Sequence, residues 1–427
     1  MSNQVLQKLV EMRGIESNYV DAWGKPATIA DSSKAKLLHA LGYETENEAA
    51  VLEQVKHDTA AYWQSVLDPV QVLRQSQRIH FTVRLPIELV NDSYTLLLTT
   101  ESGKQFSQDL VPVDTQLINV AEIDEVEYQE YAVAFDHALE DGYHTLQLLV
   151  EGDDEPVGQM RIIMAPDACY MPEQVAKGKK AWGLSVQLYC VRSENNWGIG
   201  DFSDLSRLVK DAADTGADFI GLNPIHALYP ANPDACSPYG PSSRRWLNYL
   251  YLDVTRLEGY DHPDVQALVN APDFCEKLDL VRRKEYVDYA GVAELKLKVL
   301  TALFEVYQKT YLASKTPQRE AFAEFVSQGG ESLDMLAVYD VMQEHLKDLG
   351  EPSWGWPVFP DKFKEYHKPE VAKFAKKNKQ RVQFYQFLQW QAALQLEEAN
   401  QVAVNAGMTI GLYRDLAVGV SEGSAEI

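Results

Sequence analysis

The rhythm of apolar and polar positions changes along the chain. From residue 1 to about 66 the apolar residues recur at helical spacing. Leu6, Leu9, Val10 and Ile15 open one face, and Leu37, Leu38 and Leu41 follow Asp31-Ser32-Ser33, which suits an N-cap. Gly42 is placed to end that helix. A further amphipathic run goes from Glu46 to Leu67, and Asp68-Pro69 closes it. From Val70 to Ala165 the period shortens to two. Ile79 to Leu85 alternates, Tyr131 to Phe135 does so loosely, and Tyr94 to Thr100, His144 to Val150 and Met160 to Met164 are short runs rich in β-branched or aromatic residues. Asn91-Asp92, Ser102-Gly103, Asp141-Gly142 and Gly152-Asp153 separate them as turns. The spacing predicts an antiparallel β-sandwich of about 90 residues.

Beyond a linker the pattern becomes strand, helix, strand. Gly183 to Tyr189 predicts a strand, Asp201 to Asp204 supply caps for a helix that buries Leu205, Leu208, Val209 and Ala212, and Asp218 to Asn223 predicts the next strand. Such a unit forms a right-handed parallel crossover. A mostly helical insertion follows, with one long helix from Val292 to Tyr311 and another from Val371 to Ala406. Met408 to Tyr413 predicts a third buried strand. The expected organisation is a helical region at 1–68, a sandwich at 69–166, a linker at 167–180 and an α/β domain at 181–427, interrupted by the insertion at about 255–405. The α/β part reads as an open sheet or as part of a barrel. Since the sequence ends just past the third strand, at Ile427, it is expected to be cut within a domain.

Composition narrows the function. Lys plus Arg number 39 against 63 Asp plus Glu, a net charge of -24, which disfavours nucleic acid and anionic membrane and suits a neutral ligand. Cys169, Cys190, Cys236 and Cys275 form no CxxC and no zinc spacing, so reduced thiols in the cytoplasm and no metal are expected.

Loops after parallel strands are where ligands bind. Cys236-Ser237-Pro238-Tyr239-Gly240-Pro241-Ser242-Ser243-Arg244-Arg245 follows the second strand. Its hydroxyls could bond sugar hydroxyls and Tyr239 could stack on a sugar ring; an ordinary turn-rich loop is the alternative. Trp197-Gly198-Ile199-Gly200-Asp201-Phe202 follows the first strand, and the third glycine of GxGxxG is replaced by Ser203, so a dinucleotide site is disfavoured. Trp354-Gly355-Trp356-Pro357 reads as a sugar platform or, preferably, a plug between helices. Asp415, Glu422 and Glu426, past the third strand, are carboxylates that serve as acid, base or anchor, or stay merely solvated. His226 is the best placed histidine, with no metal partner in sequence.

Together, Trp197 to Phe202, Ser237-Pro238-Tyr239 with Ser242 to Arg245, and Trp354 to Pro357 resemble the 4-α-glucanotransferases (amylomaltases) of glycoside hydrolase family 77. The opening Tyr19-Val20-Asp21-Ala22-Trp23-Gly24-Lys25-Pro26 is similar to the long bacterial subtype. The resemblance implies a (β/α)8 TIM barrel with helical insertions, of which this chain holds about three strands. It implies transfer of α-1,4-glucan segments between maltooligosaccharides through a covalent glycosyl-enzyme, without a cofactor. Ser237, Tyr239, Asp415, Glu422 and Ser424 match substrate-binding positions, with Gly423 departing from an acidic residue of other subtypes. Trp390 matches too but reads as core. The family's Arg-hydrophobic-Asp-His, Glu-Asp-Leu-Gly and Thr-His-Asp motifs do not occur here, and Asp136 and Asp261, each followed by His, belong to the sandwich and the insertion. The nucleophile and acid/base are expected beyond Ile427, leaving this chain inactive alone. A non-catalytic glucan-binding or interaction module is the alternative.

Overall fold

Leu6, Leu9 and Val10 lie on α1 (Asn3–Met12) and are buried with Leu38, Val51 and Val55. The computed structural model describes all residues except Met1, Ser2, Glu46, Glu151, Asp153 and Asp154, so the expected start at Glu46 and the turn residue Asp153 lie outside the described residues. Residues 1–66 are not purely helical. A hairpin, β1 (Asn18–Val20) and β2 (Pro26–Thr28), follows α1. Its turn is fastened by Asp21 Oδ1, which accepts the N–H groups of Trp23 at 2.9 Å and Lys25 at 2.8 Å. In α2 (Asp31–Ala40) the N-cap is Ala30 rather than the Asp31-Ser32-Ser33 run; Asp31 sits in the first turn, where its charge complements the helix dipole. Asn47 caps α3 (Glu48–Gln64) by accepting from the Ala49 amide at 3.0 Å.

Eight strands follow: β3 (Val70–Arg74), β4 (Ile79–Pro86), β5 (Tyr94–Thr99), β6 (Gln105–Leu110), β7 (Gln116–Ile123), β8 (Val126–Phe135), β9 (Gly142–Val150) and β10 (Pro156–Ala165). They form a five-stranded sheet in the order β3-β10-β9-β5-β6 and a three-stranded sheet in the order β4-β8-β7. Alternate residues of both, such as Phe81, Val83, Val133, Leu96 and Leu148, share one core, which makes the region a sandwich. The expectation of an all-antiparallel arrangement is corrected at one edge, where β3 runs parallel to β10 with Arg161 opposite Val70. Period-two patterning is the same for either direction, so the sequence could not distinguish them. Arg84 of β4 is almost wholly buried. Its guanidinium donates to Asp68 Oδ1 at 2.7 Å, Glu130 Oε1 at 3.3 Å and the Ser65 carbonyl at 2.9 Å, and lies over the Tyr62 ring.

Residues 1–170 and 171–427 form separate compact units. The second opens with α4 (Glu173–Ala176), inside the stretch expected as linker. Its parallel sheet contains β11 (Gly183–Val186), then α5 (Phe202–Asp214) and β12 (Phe219–Leu222). The expected first strand stops early: Leu188–Cys190 turn as a 3-10 helix because the Leu188 amide donates to Asn223 Oδ1 at 2.9 Å. Asp201 and Asp204 form a capping box on α5. Burial pushes the Asp201 carboxyl up to about 6, Lys296 opposing. A Cβ on Gly198 would stand 2.8 Å from the Val281 carbonyl, and one on Gly200 would overlap the Leu188 carbonyl. These glycines let backbone pass backbone, which accounts for them without a phosphate.

β13 (His226–Ala227) pairs antiparallel with β14 (Ser243–Leu247). The helices α6 (Pro263–Val269), α7 (Pro272–Arg283), α8 (Tyr289–Tyr307), α9 (Pro317–Asp348), α10 (Pro369–Lys377) and α11 (Lys379–Asn405) follow. The single helix expected over 371–406 is thus two, parted at Asn378. α9 has no counterpart among the expected helices. Gly330, at φ 52°, bends it, so its apolar positions never settle into one stripe. α11 packs on α5 and α9, and Trp390 is core, its ring 5.4 Å from Phe322 and 5.8 Å from Tyr307. β15 (Gly411–Arg414) pairs parallel with β12, giving the order β11-β12-β15.

Candidate functional site

Parallel pairing brings the carboxyl ends of β11, β12 and β15 side by side. A cleft of about 700 Å³ opens there, lined by Gln187, Tyr189, Asn223, Pro238, Tyr239 and Asp415 among others. The Asp415 amide donates to the Leu222 carbonyl at 3.1 Å, prolonging the β12–β15 ladder by one residue and setting Asp415 at its mouth. Asn223 is held from both sides, accepting from the Leu188 amide and donating to the Pro224 carbonyl at 2.8 Å.

Tyr239 arrives on the loop between β13 and β14. The Gly240 amide donates to the Ser237 carbonyl at 3.2 Å, and Pro238 and Pro241 restrict the backbone on either side. The Tyr239 hydroxyl donates to Asp415 Oδ2 at 3.1 Å. That bond raises the phenol's pKa. The ring itself is 62% exposed, so its face is open to a ligand. Three segments, after β12, between β13 and β14, and after β15, thereby present a fixed amide, an aromatic face and a carboxylate to one space. Such a set binds neutral polyols by stacking and hydrogen bonding.

The other sequence-nominated residues are placed differently. Ser237 is exposed one residue short of the lining, and Glu422 is exposed outside it. Ser424 is fully buried. Glu426 is a clamp: Oε1 accepts from the Ser243 hydroxyl at 2.7 Å and the Arg244 amide at 2.6 Å, and Oε2 from Arg244 Nε at 3.2 Å. Burial works against its charge, but these bonds prevail and hold the carboxyl below its ordinary 4.5. With the folded value depressed, the stabilisation is complete above the unfolded value and is lost as pH falls through the folded one. Glu426→Gln should therefore flatten the melting profile on the acid side, as pH falls below the carboxyl's ordinary 4.5. An acid slope identical to the unmodified chain's would refute this role for the clamp.

His226 Nε2 accepts the Ala417 amide at 3.2 Å, and burial lowers its pKa, so it acts as a neutral acceptor. Trp356 is buried, with Nε1 donating to the Ala425 carbonyl at 3.3 Å, and Trp354 stacks on Tyr229 at 4.8 Å. Trp356, packed on Tyr339 of α9, fits the plug reading, whereas Trp354 is 41% exposed and does not. Sequence reasoning missed Gln187, Tyr189 and Asn223 as cleft residues. Asn223 directly before Pro224, at a strand's end, was the available signal. Among the described residues no group of three or more His, Cys, Asp or Glu is arranged to hold a metal, and no helix is long and apolar enough to cross a membrane.

A family model described as 4-alpha-glucanotransferase matches residues 186–427, and one described as the MalQ N-terminal beta sandwich domain matches residues 66–166. A 4-alpha-glucanotransferase of Haemophilus influenzae is 37% identical over 290 residues, covering 67% of this chain and 41% of that protein. One from Mycobacterium tuberculosis is 31% identical over 434 residues, covering 99% and 56%. The crystal structure of amylomaltase from Corynebacterium glutamicum superposes with a TM-score of 0.79 at 26% identity, over 100% of this chain and 56% of that one. The chain spans about half the length of the curated relatives it matches.

Proposed function

Because the chain belongs to the 4-alpha-glucanotransferase family, glycoside hydrolase 77, we propose that its cleft is part of a site for α-1,4-glucans, used in moving glucan segments between maltooligosaccharides. The observation that carries this reading is the Tyr239–Asp415 bond across the cleft. In it Tyr239 supplies the stacking face, Asp415 and Asn223 bond sugar hydroxyls, and Ser237 and Glu422 extend the contact along the rim. Ser424 acts from beneath, as support. On this reading the parallel sheet is the first part of a (β/α)8 barrel, with the helices at about 255–405 inserted into it. The domain limits proposed are 1–68, 69–166 and 181–427 with a linker at 167–180, of which residues 171–180 fall in the second compact unit. Four unpaired thiols accord with a cytoplasmic place.

The reaction is retaining: a carboxylate attacks the anomeric carbon, a second carboxyl protonates the leaving oxygen, and an acceptor sugar then replaces water. It requires two carboxyls about 5–5.5 Å apart. Asp415 is the single carboxylate that lines the cleft among the described residues, and it already serves Tyr239. This polypeptide therefore binds glucan but does not transfer it alone.

Calorimetric titration with maltoheptaose should give saturable binding, weakened about tenfold in Tyr239→Ala, as loss of the stacking face implies. No heat at millimolar ligand would sink the binding assignment. Incubation with maltotriose should release no glucose and no longer oligosaccharides; their appearance would refute the assignment of inactivity.

A further inference from the structure

Four buried side-chain oxygens in the 171–427 unit have no hydrogen-bond partner: Ser242 Oγ, Asp340 Oδ1, Gln343 Oε1 and Ser424 Oγ. The four residues are between 0% and 3% exposed. They stand on segments bonded to one another. The Tyr339 hydroxyl donates to the Gly423 carbonyl, tying α9 to the residue before Ser424. The amide of Ala425, the residue after it, donates to the Ser242 carbonyl at 3.0 Å. Gln343 Nε2 donates to the Tyr339 hydroxyl and the Ser353 carbonyl, each at 2.9 Å. Since that carbonyl can only accept, the amide orientation is fixed and Oε1 is left over. Asp340 and Gln343, three residues apart on α9, share a helix face.

All four atoms are hard oxygen donors, and one carries charge. Arg381, the guanidinium nearest in effect, is held by Glu344 at 2.6 and 2.8 Å. Burial first, and the Glu344 charge second, push the Asp340 carboxyl well above its ordinary range, with Arg381 opposing. A buried carboxyl is made tolerable by a proton or by a cation. A proton leaves the Gln343 carbonyl oxygen and the two hydroxyls without a common partner. A hard cation engages carboxylate, amide and hydroxyl oxygens together. With one carboxylate, charge balance selects a single positive charge.

We propose that Ser242, Asp340, Gln343 and Ser424 form a binding site for a monovalent alkali cation, sodium or potassium. The ion braces the 421–426 segment, and with it the Glu426 clamp, against α9. The assignment is independent of the glucan reading, and its test uses no sugar.

The whole chain is melted at pH 8 in sodium chloride, potassium chloride or choline chloride at equal concentration. The melting temperature of the 171–427 unit should be about 3 °C or more higher with an alkali cation than with choline, which is too large to enter. The difference should vanish in Asp340→Asn, with circular dichroism confirming its fold. If that variant does not fold, Ser424→Ala should raise the half-saturating sodium concentration severalfold. Equal melting in all three salts overturns the site and leaves buried water as the occupant. A sodium dependence unchanged in Asp340→Asn or Ser424→Ala overturns it as well.

Discussion

Replacing Gly355 with alanine is expected to destabilise the 171–427 unit by roughly 4 kcal/mol, from two contributions of similar size. Gly355 has φ 86° and ψ 175°, a region that is essentially glycine-only. The new Cβ would also collide with the Gly423 backbone, which has little room to retreat, since a Cβ on Gly423 would itself stand 2.9 Å from the Trp354 carbonyl. The two backbones cross in contact, so no rotamer change relieves the overlap. The melting temperature of that unit should fall by roughly 10 °C. Gly240→Ala is the control: its backbone is ordinary and its Cβ meets open space, so it should change stability by no more than about 0.5 kcal/mol. If Gly355→Ala melts with the control, the crossing is not as tight as described.

Arg84→Ala should produce the corresponding loss in the first unit, about 3–5 kcal/mol. The guanidinium satisfies Asp68, Glu130 and the Ser65 carbonyl at once, and Glu130 is only 6% exposed. Its removal strands the Glu130 carboxylate, which among the described residues keeps the Tyr62 hydroxyl at 2.9 Å. Denaturant unfolding followed by hydrogen exchange at β4 and β8 resolves the effect. Arg84→Met combined with Glu130→Met should recover most of the loss, because a well-packed apolar pair needs no counter-charge. A double variant as unstable as Arg84→Ala would show that packing of the arginine stem, and not the stranded charge, sets the cost.

The sequence was most legible where one signal sufficed. Asp201 and Asp204 announced the start of α5, and period-two runs located the strands of the sandwich. It was silent where structure depends on a distant partner. Leu188 turns out of the first strand because Asn223 captures its amide from 35 residues away. Asp21 builds a hairpin through bonds that no periodicity records. Tyr239 and Asp415 were each nominated, yet their contact across 176 residues is a product of the sheet alone. Ser424 matched a family position by letter while packing puts it under the surface.

The parallel pairing of β3 with β10 has a consequence for how the protein is made. Val70 cannot meet its neighbour Arg161 until about ninety more residues have left the ribosome, whereas β4 needs only β8 and β5 pairs first with β6, the next strand to emerge. Closing so large a loop comes late. During synthesis β3 is thus the strand that waits longest, with its edge open to other chains, and crowding of nascent polypeptides should tell first at Val70–Arg74.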